Sequence, residues 1–304
     1  LENVEEYRLA QNTFECYARF HQYKWKVINF SSNKTLQKIC PHSDFMFARH
    51  CVTAQIMEES DEEWFLFIDA DMGVINPNHF IEEWIDNDVN LIFYDRIFNY
   101  EIMSGSYLAR NVPYSLQFLR FWANYQFKLP NSFHGTDNGA IHNVFMELIT
   151  PEMVKARRIC EKLWNRSRTY DDLYVYEACA RSVLGDSSKW FEKVRILRKG
   201  TSWARDIWLT NSMWGMRDFV LHGWQKRKMD AVVFASWPSP FSSHYFNMSL
   251  CETEDAAINW KYKDSFIRDN AEIDQYLNSF IENSSKNLIR TLAEISEFIN
   301  LDEA

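Results

Sequence analysis

The sequence predicts an α/β protein in which a mostly parallel central sheet is flanked by helices. Amphipathic helical stretches alternate with short apolar stretches of strand length, which is the pattern of a parallel sheet. The longest apolar runs are also far too short to cross a bilayer. The chain has 304 residues, 46% hydrophobic and 25% charged, which is typical of a folded protein.

Hydrophobic periodicity assigns the individual elements in order along the chain. Residues 129–139 are expected to form a loop because they contain Pro, Asn, Ser and two Gly. We predict one domain over residues 1–229, followed by residues 230–304 as an aromatic, irregular segment with a helical extension of the same domain. Helices are predicted at 4–22, 44–59, 79–85, 113–125, 140–148, 151–164, 170–184 and 264–304, and strands at 25–30, 64–68, 90–94, 105–109, 194–197 and 219–221.

The most informative segment is the apolar run 64–68, which ends in Asp69 and Asp71. A continuous apolar run predicts a strand buried on both faces. Carboxylates at positions i and i+2 lie on one face at the strand's carboxyl end, where open α/β sheets bind ligands. The two charges repel each other, and Mg²⁺ or Mn²⁺ would relieve the repulsion. Asp86 and Asp88 repeat the spacing without a buried strand before them, which favours a solvated turn.

Two further segments carry candidate polar groups. Asp137 and Asn138 either face a ligand at a helix N-terminus or simply cap that helix, and the residues leave both interpretations open. His134 and His142 lack zinc spacing and are expected to be structural.

His222 ends an apolar strand, so it is either a metal ligand or a core histidine. It is followed by a basic run, residues 226–228, which could neutralise phosphate.

Composition excludes several functional classes. A net charge of −9 argues against a general nucleic-acid binder. The sequence has no GxGxxG, no P-loop, no HExxH and no GxSxG, so it lacks the signatures of dinucleotide-binding proteins, P-loop NTPases, metalloproteases and α/β-hydrolases. Aromatic residues reach 16%, which indicates either a large core or stacking platforms for sugars or bases.

The cysteines and glycosylation sequons favour a secretory compartment. Six cysteines without a CxxC pair allow three disulfides. Because the chain does not begin with Met and has no signal region, we expect any targeting segment to have been cut away. Five Asn-x-Ser/Thr sequons occur, at Asn29, Asn33, Asn165, Asn247 and Asn283.

The order of these motifs resembles that of nucleotide-sugar-dependent glycosyltransferases of the GT-A fold. Within that group the chain is most similar to the α-galactosyl-, xylosyl- and mannosyltransferases typified by fungal galactosyltransferases and plant xyloglucan xylosyltransferases. It also resembles a related nematode family of unassigned function, with which it shares FIDAD, FYDR and HGTDNGAIH. The matching segments are Asp69–Asp71, the strand MSGSYLARN at 103–111, the helix YSLQFLRFW at 114–122, DNGAI at 137–141, and His222.

The resemblance implies a metal-dependent transferase that retains anomeric configuration. It assigns Mn²⁺, or Mg²⁺, to Asp69, Asp71 and His222. It assigns catalysis to Asp137 and Asn138, with Asp137 either stabilising the oxocarbenium-like carbon or attacking it as a nucleophile. The donor would be a UDP-sugar, galactose first, with GDP-sugars as a second option. Residues expected at the donor are Arg49, Asp69, Asp71, Ser104, Gly105, Lys226 and Arg227.

The resemblance further implies a glycan acceptor and a place in the Golgi lumen. The protein would be a type II membrane protein anchored upstream of this chain, and the chain itself would contact neither membrane nor nucleic acid. Disulfides and N-glycans would suit that compartment.

Several residues depart from the family pattern. Met103 stands where Asn is common, and Asn138 replaces the usual Gln. The usual Gly-Cys-Lys after the metal histidine is absent, so Lys226 or Arg227 would serve the diphosphate. The first strand of the fold is expected before residue 1. These departures keep open the alternative of a catalytically inactive GT-A scaffold that binds glycans or proteins.

Overall fold

The computed structural model describes residues 4–302, which form two compact units. The first unit comprises the described residues up to 32 together with 68–84 and 200–280, and the second comprises 33–67, 85–199 and the described residues from 281. The predicted boundary between residues 229 and 230 falls inside the first unit. Residues 1–3 of the predicted domain and residues 303–304 of the predicted C-terminal helix lie outside the described residues.

Helices and strands alternate through much of the chain, as an α/β fold requires. Short 3₁₀ turns, beginning with Val4–Glu6, fill many of the connections. The helices are α1 (Arg8–Phe20), α2 (Lys34–Ile39), α3 (Phe45–Glu58), α4 (Pro113–Asn124), α5 (Thr136–Ile149), α6 (Val154–Arg166), α7 (Tyr170–Leu184) and α8 (Asn270–Asp302). The strands are β1 (Trp64–Ile68), β2 (Met72–Val74), β3 (Leu91–Tyr94), β4 (Ser106–Arg110), β5 (Lys189–Trp190), β6 (Val194–Leu197), β7 (Ala204–Asp206) and β8 (Val220–His222).

The second unit contains a five-stranded sheet in the order β1-β4-β3-β6-β5. The β3/β6 pair is parallel, whereas β3/β4 and β5/β6 are antiparallel. The prediction of a mostly parallel sheet is therefore wrong. The reason is that β3 and β4, like β5 and β6, are joined without an intervening helix, and the chain then returns antiparallel. Helices α4 to α7 lie between β4 and β5, so β6 can join β3 in parallel.

The first unit contains a three-stranded sheet in the order β2-β8-β7. Strand β2 pairs with β8 antiparallel, with Met72 opposite His222. Strand β7 pairs with β8 in parallel, with Asp206 opposite His222. This register brings the carboxyl ends of β7 and β8 together, one residue away from Asp71.

Two strand predictions need correction. Strand β1 is half-buried along its whole length because it is the edge strand of its sheet, so it is not buried on both faces. Residues 25–30 form no strand; none of them is fully buried, and Val27 is exposed. Their apolar side chains therefore do not define a buried strand face.

The helix predictions agree better with the structure. Helix α7 matches its predicted range, and α3 begins after Asp44, whose side chain accepts a hydrogen bond from the Met46 amide. Helix α5 begins at Thr136, earlier than predicted, so Asp137 and Asn138 belong to its first turn. Residues 79–85 contain only a 3₁₀ turn at Ile81–Trp84. The short elements α2, β2, β5 and β7 were not predicted from the sequence.

Aromatic side chains mostly build the core of each unit. Trp122 and Phe93 lie in the core of the second unit, and Trp224 and Trp237 are buried in the first. Within the described residues no tryptophan falls among the exposed large side chains. Between residues 4 and 302, no helix combines the length and apolar character needed to cross a bilayer. Three disulfides are formed, Cys16–Cys251 in the first unit and Cys40–Cys51 and Cys160–Cys179 in the second.

Candidate metal centre

Asp69, Asp71 and His222 come together in the first unit as the sequence predicts for a metal site. One ligand atom from each residue lies within 4.8 Å of the others. The pairing of Met72 with His222 explains the approach, because it places Asp71 beside the end of β8. The Nε2 atom of His222 lies 3.4 Å from Oδ1 of Asp71. Among the described residues this is the only such group of three that could hold a cation.

The backbone around Asp71 is fixed by the segment that follows β8. The Asp71 carbonyl accepts hydrogen bonds from the Gly223 and Trp224 amides, both at 2.9 Å. The Gln225 amide donates to Oδ2 of Asp71 at 2.9 Å. Beside it, the Trp224 ring packs so closely over Gly73 that a Cβ there would overlap the ring. Hydrogen bonds and packing from the segment after β8 therefore fix the position of Asp71.

Asp206 orients the imidazole of His222 from the opposite side. The Nδ1 atom of His222 lies 2.9 Å from Oδ1 of Asp206, which is 4% exposed. Because a carboxylate can only accept a hydrogen bond here, Nδ1 carries a proton, and Nε2 points towards Asp71. Histidine ligands of metals commonly have such a carboxylate behind them. Carboxylates are preferred ligands of Mg²⁺ and Mn²⁺ and imidazole is a ligand of transition metals, so the residues fit a divalent cation.

The electrostatics of the site couple Asp71 and His222. Burial opposes the charge on Asp71, but His222 and the hydrogen bond from Gln225 outweigh it and lower the pKa of Asp71 to about 2. Burial likewise opposes the charge on His222, but the carboxylates of Asp71 and Asp206 raise its pKa to about 10. A cation binding here would take the place of the proton on Nε2 of His222.

A residue that the sequence did not point to lies close to this carboxylate pair. Burial and the negative charge of Asp71 raise the pKa of Tyr7, and Asp69 adds to the effect. The nearby positive charge of Arg227 opposes this rise. Tyr7 sits where a 3₁₀ turn meets α1, and nothing in the local sequence distinguishes it from a core tyrosine.

The two basic residues expected at the donor are exposed side chains of the first unit. Lys226 and Arg227 lie in a short 3₁₀ turn after β8. Arg227 donates to Oε1 of Gln225 at 3.0 Å, and Gln225 in turn contacts Asp71. The backbone amide of Arg227 also donates to Glu6 at 3.3 Å. Arg227 is thus linked to the metal centre through one side chain.

The second unit contains a separate buried charge cluster around Asp137. Its Oδ2 atom accepts hydrogen bonds from Nε of Arg49 at 3.0 Å and from Nη2 at 2.6 Å. Nε2 of His50 lies 2.9 Å from the same oxygen. Thr136 donates to the other oxygen at 3.2 Å. Asp137 has no solvent exposure, so the carboxylate is fully engaged by neighbouring donors.

The protonation states of this cluster follow from its contacts. Burial raises the pKa of Asp137, but Arg49 and His50 outweigh it and hold the pKa below the usual range. Burial lowers the pKa of His50 to about 4, so its imidazole is neutral at neutral pH. Its Nε2–H then donates to Asp137, and Nδ1 accepts from the Tyr107 hydroxyl at 3.2 Å. The ring also stacks on Trp122 with centroids 3.4 Å apart.

The remaining predicted site residues lie near this cluster in the second unit. The Ser104 hydroxyl, buried beside Gly105, lies 3.4 Å from Nη2 of Arg49. Neither Asp137 nor Asn138 caps helix α5, because Gly135 is its N-cap. The Asn138 side chain is half-buried, and its backbone carbonyl lies 3.0 Å from Nδ1 of His142.

The other candidate polar residues make structural contacts. The Thr136 amide donates to Nδ1 of His134 at 3.0 Å, and the Ile102 amide donates to Nε2 of His142 at 3.3 Å. Asp86 and Asp88 lie in a turn, where both pair with Lys189. Asp86 also pairs with Arg195 at 2.9 Å, so both carboxylates of the second Asp-x-Asp copy have cationic partners.

Comparison with known families assigns the chain to one of them. A family model described as "Protein of unknown function, DUF273" matches residues 14–237. The chain belongs to DUF273. The DUF273 match contains all three residues of the metal centre and the buried Asp137 cluster. No curated protein matches the chain in sequence.

Proposed function

We propose that the protein is a divalent-metal-dependent glycosyltransferase that moves a hexosyl group from a nucleotide sugar to a glycan, with retention of configuration. UDP-galactose is the first donor to test, and a GDP-sugar is the second. The observation that carries the proposal is the Asp69, Asp71 and His222 donor set with Asp206 behind the imidazole. The resemblance of the surrounding motifs to GT-A transferases supplies the reaction class.

The residues of the first unit would have distinct tasks in this reaction. A bound Mn²⁺ or Mg²⁺ would neutralise the donor's diphosphate and the charge that develops on the leaving group. Asp69, Asp71 and His222 would hold the cation, and Asp206 would keep Nε2 of His222 available to it. Lys226 and Arg227, both exposed after β8, would contact the phosphate oxygens.

The residues of the second unit keep the roles that the resemblance implies. Asp137 and Asn138 remain the proposed catalytic pair, and Arg49, Ser104 and Gly105 remain proposed donor contacts. The two hydrogen bonds that Arg49 donates to Oδ2 of Asp137 support a joint role, because each residue fixes the other's position. In this arrangement the departing phosphate oxygen would accept the acceptor's proton.

The proposed compartment is the Golgi lumen. Three disulfides support an oxidising environment, where such bonds form and persist. Four of the five sequon asparagines are exposed, which supports N-glycosylation; they are Asn29, Asn33, Asn165 and Asn283. Proposed partners are the nucleotide sugar and a glycan acceptor, with no nucleic acid.

One observation favours a second function, a non-catalytic scaffold that binds glycans or proteins. Oδ2 of Asp137 is already bonded to Arg49 and His50, and the residue has no exposed surface. An enzyme that needed this carboxylate to contact the sugar would have to release it first. A scaffold would need no such change.

The deciding experiment is nucleotide release from a panel of UDP- and GDP-sugars, with Mn²⁺ or with EDTA. We expect release from one donor, lost in EDTA and in Asp71→Asn. Asp88→Asn is the matched control, because Asp88 belongs to the second Asp-x-Asp and pairs with Lys189. Release by Asp71→Asn at the wild-type rate would contradict the metal's role. Binding of glycans without release from any donor would favour the scaffold.

A further inference from the structure

The loop after the basic turn projects an apolar tip from the first unit. Val232 is 102% exposed and Phe234 is 78% exposed. Residues 231–237 contain no charged side chain. Exposed aromatic and aliphatic side chains in one short loop are uncommon unless a partner covers them.

The loop at residues 231–237 is anchored by buried aromatic side chains. Trp237 is 1% exposed and stacks on Trp224, with ring centroids 5.8 Å apart. The indole N–H of Trp237 donates to the Gln225 carbonyl at 3.1 Å. Asp230, which directly precedes residues 231–237, and Ala235 within them both adopt positive φ angles. A loop held in this way presents Phe234 in a defined position, which lowers the entropic cost of binding.

Phe234 also reaches back to the segment that supports the metal centre. Its ring centroid lies 5.6 Å from that of Trp208. Trp208 follows Asp206 by two residues in the 3₁₀ turn Ile207–Thr210, and Asp206 is the residue that orients His222. Arg205, on the other side of Asp206, forms a two-point ion pair with Asp218 and also donates to Oγ1 of Thr210, the last residue of this turn, at 2.9 Å. The exposed Phe234 ring therefore packs on the same segment that carries Asp206.

The chemistry of the tip selects its partner. Because residues 231–237 carry no charged side chain, the tip itself offers an ion pair neither to an anionic nor to a cationic ligand, which favours a neutral one. An exposed aromatic ring beside small side chains fits the apolar C–H face of a neutral pyranose. The other aromatic residues of this stretch are mostly core: Trp237, Phe241, Phe246 and Trp260 are buried.

We propose that Phe234, backed by Trp208, is a sugar-binding platform for the acceptor glycan. The binding of a neutral sugar follows from the tip itself, and only its assignment as the acceptor rests on the proposed function. The reaction then takes place between a donor held at the metal centre and an acceptor whose ring stacks on Phe234.

The test separates sugar binding from catalysis. Saturation-transfer NMR would be recorded with methyl glycosides of galactose, glucose, xylose and mannose, without metal or nucleotide sugar. We expect transfer to at least one glycoside, reduced at least threefold in Phe234→Ala and retained in Phe234→Tyr. Phe191→Ala is the matched control, since Phe191 is a 67% exposed ring in the second unit. Circular dichroism of each variant verifies that it is folded.

Each outcome decides the inference. Wild-type signal in Phe234→Ala, equal loss in Phe191→Ala, or no transfer to any of the glycosides in the wild type would overturn it. If Phe234-dependent sugar binding is found while no nucleotide sugar is turned over, the platform stands and the proposed transferase activity fails. If activity is present, Phe234→Ala should raise the KM for the acceptor by a larger factor than it lowers kcat.

Discussion

At the scale of single residues, the candidate metal centre depends on a side chain outside its three proposed ligands. Asp206 accepts a hydrogen bond from Nδ1 of His222, so Nε2 is the nitrogen that a cation would bind. The sequence indicated Asp69, Asp71 and His222 because each directly ends or follows an apolar strand. It did not indicate Asp206 or Gln225, because their roles arise only from β7–β8 pairing and from the turn after β8.

Removing the support of His222 should weaken metal binding. We expect Asp206→Ala to bind Mn²⁺ roughly 10- to 100-fold more weakly than the wild type, measured by titration calorimetry. Asp206→Asn should lose less, because an amide oxygen can still accept the Nδ1 hydrogen bond. Wild-type affinity in Asp206→Ala, with the fold verified by circular dichroism, would show that His222 needs no such partner.

A second residue-scale prediction concerns a buried carboxyl of the second unit. Glu177 is fully buried, and neither carboxylate oxygen has a hydrogen-bond partner among residues 4–302. Burial raises the pKa of Glu177 well above its usual range, and Glu101 adds to the rise. Its folded pKa thus exceeds its unfolded one, so stability is greatest below the unfolded pKa and decreases as pH rises.

Replacing that carboxyl by an amide should remove the dependence on pH. We expect Glu177→Gln to raise the free energy of unfolding by roughly 1–3 kcal/mol at about pH 8, and by less at about pH 5. Urea denaturation at the two pH values measures the effect. The exposed Glu152→Gln is the control and should change neither value. If the free energy of unfolding rose equally or more at about pH 5, the charge on buried Glu177 would not be what destabilises the wild type at higher pH.

At the scale of elements, β2 and the segment after β8 must approach closely for the site to form. Gly73 in β2 faces the Trp224 ring at a distance that leaves no room for a Cβ. Trp224 is also one of the two residues whose amides bind the Asp71 carbonyl. The packing of one glycine therefore controls the backbone of the metal centre.

Adding a methyl group at this position should disturb both stability and metal binding. We expect Gly73→Ala to cost roughly 1–3 kcal/mol through overpacking and to weaken Mn²⁺ binding as Trp224 shifts. Gly185→Ala is the control: it has a positive φ but open space around it and lies in the second unit. It should lose stability without losing affinity for Mn²⁺. Equal affinities for Mn²⁺ in the wild type and in Gly73→Ala would show that the packing of Gly73 against Trp224 does not affect the site.

Elements differ in how far the sequence alone predicted them. Helices α3 and α7 have clear caps and matched their predicted ranges within a residue. Strand direction was mispredicted, since apolar runs such as β3 and β4 carry no mark of whether their partner is parallel. The apolar run of β1 likewise does not predict its edge position, because strand order is a property of the whole sheet.

At the scale of the whole molecule, the disulfides differ greatly in the length of chain they close. Cys16–Cys251 spans 235 residues, whereas Cys40–Cys51 spans 11 and Cys160–Cys179 spans 19. The sequence gives six cysteines but allows 15 pairings, and only the folded chain selects one. Closing a longer loop restricts the unfolded chain more strongly.

The long-range disulfide should therefore contribute most to stability. By the chain-entropy relation its removal costs about 5 kcal/mol, against about 3 kcal/mol for either short loop. We expect Cys16→Ser/Cys251→Ser to melt at a lower temperature than Cys40→Ser/Cys51→Ser in calorimetry. The reverse order of melting temperatures would mean that native contacts, and not the unfolded chain, dominate the effect.

The most direct test of the metal centre is a Mn²⁺ titration followed by electron paramagnetic resonance, with and without UDP. We predict one Mn²⁺ site in the wild type, tighter with UDP, and its loss in Asp71→Asn but not in Asp88→Asn. That result would establish the Asp69, Asp71 and His222 group as the cation site. Absence of Mn²⁺ binding in the wild type, or equal binding by Asp71→Asn, would contradict the metal-dependent mechanism.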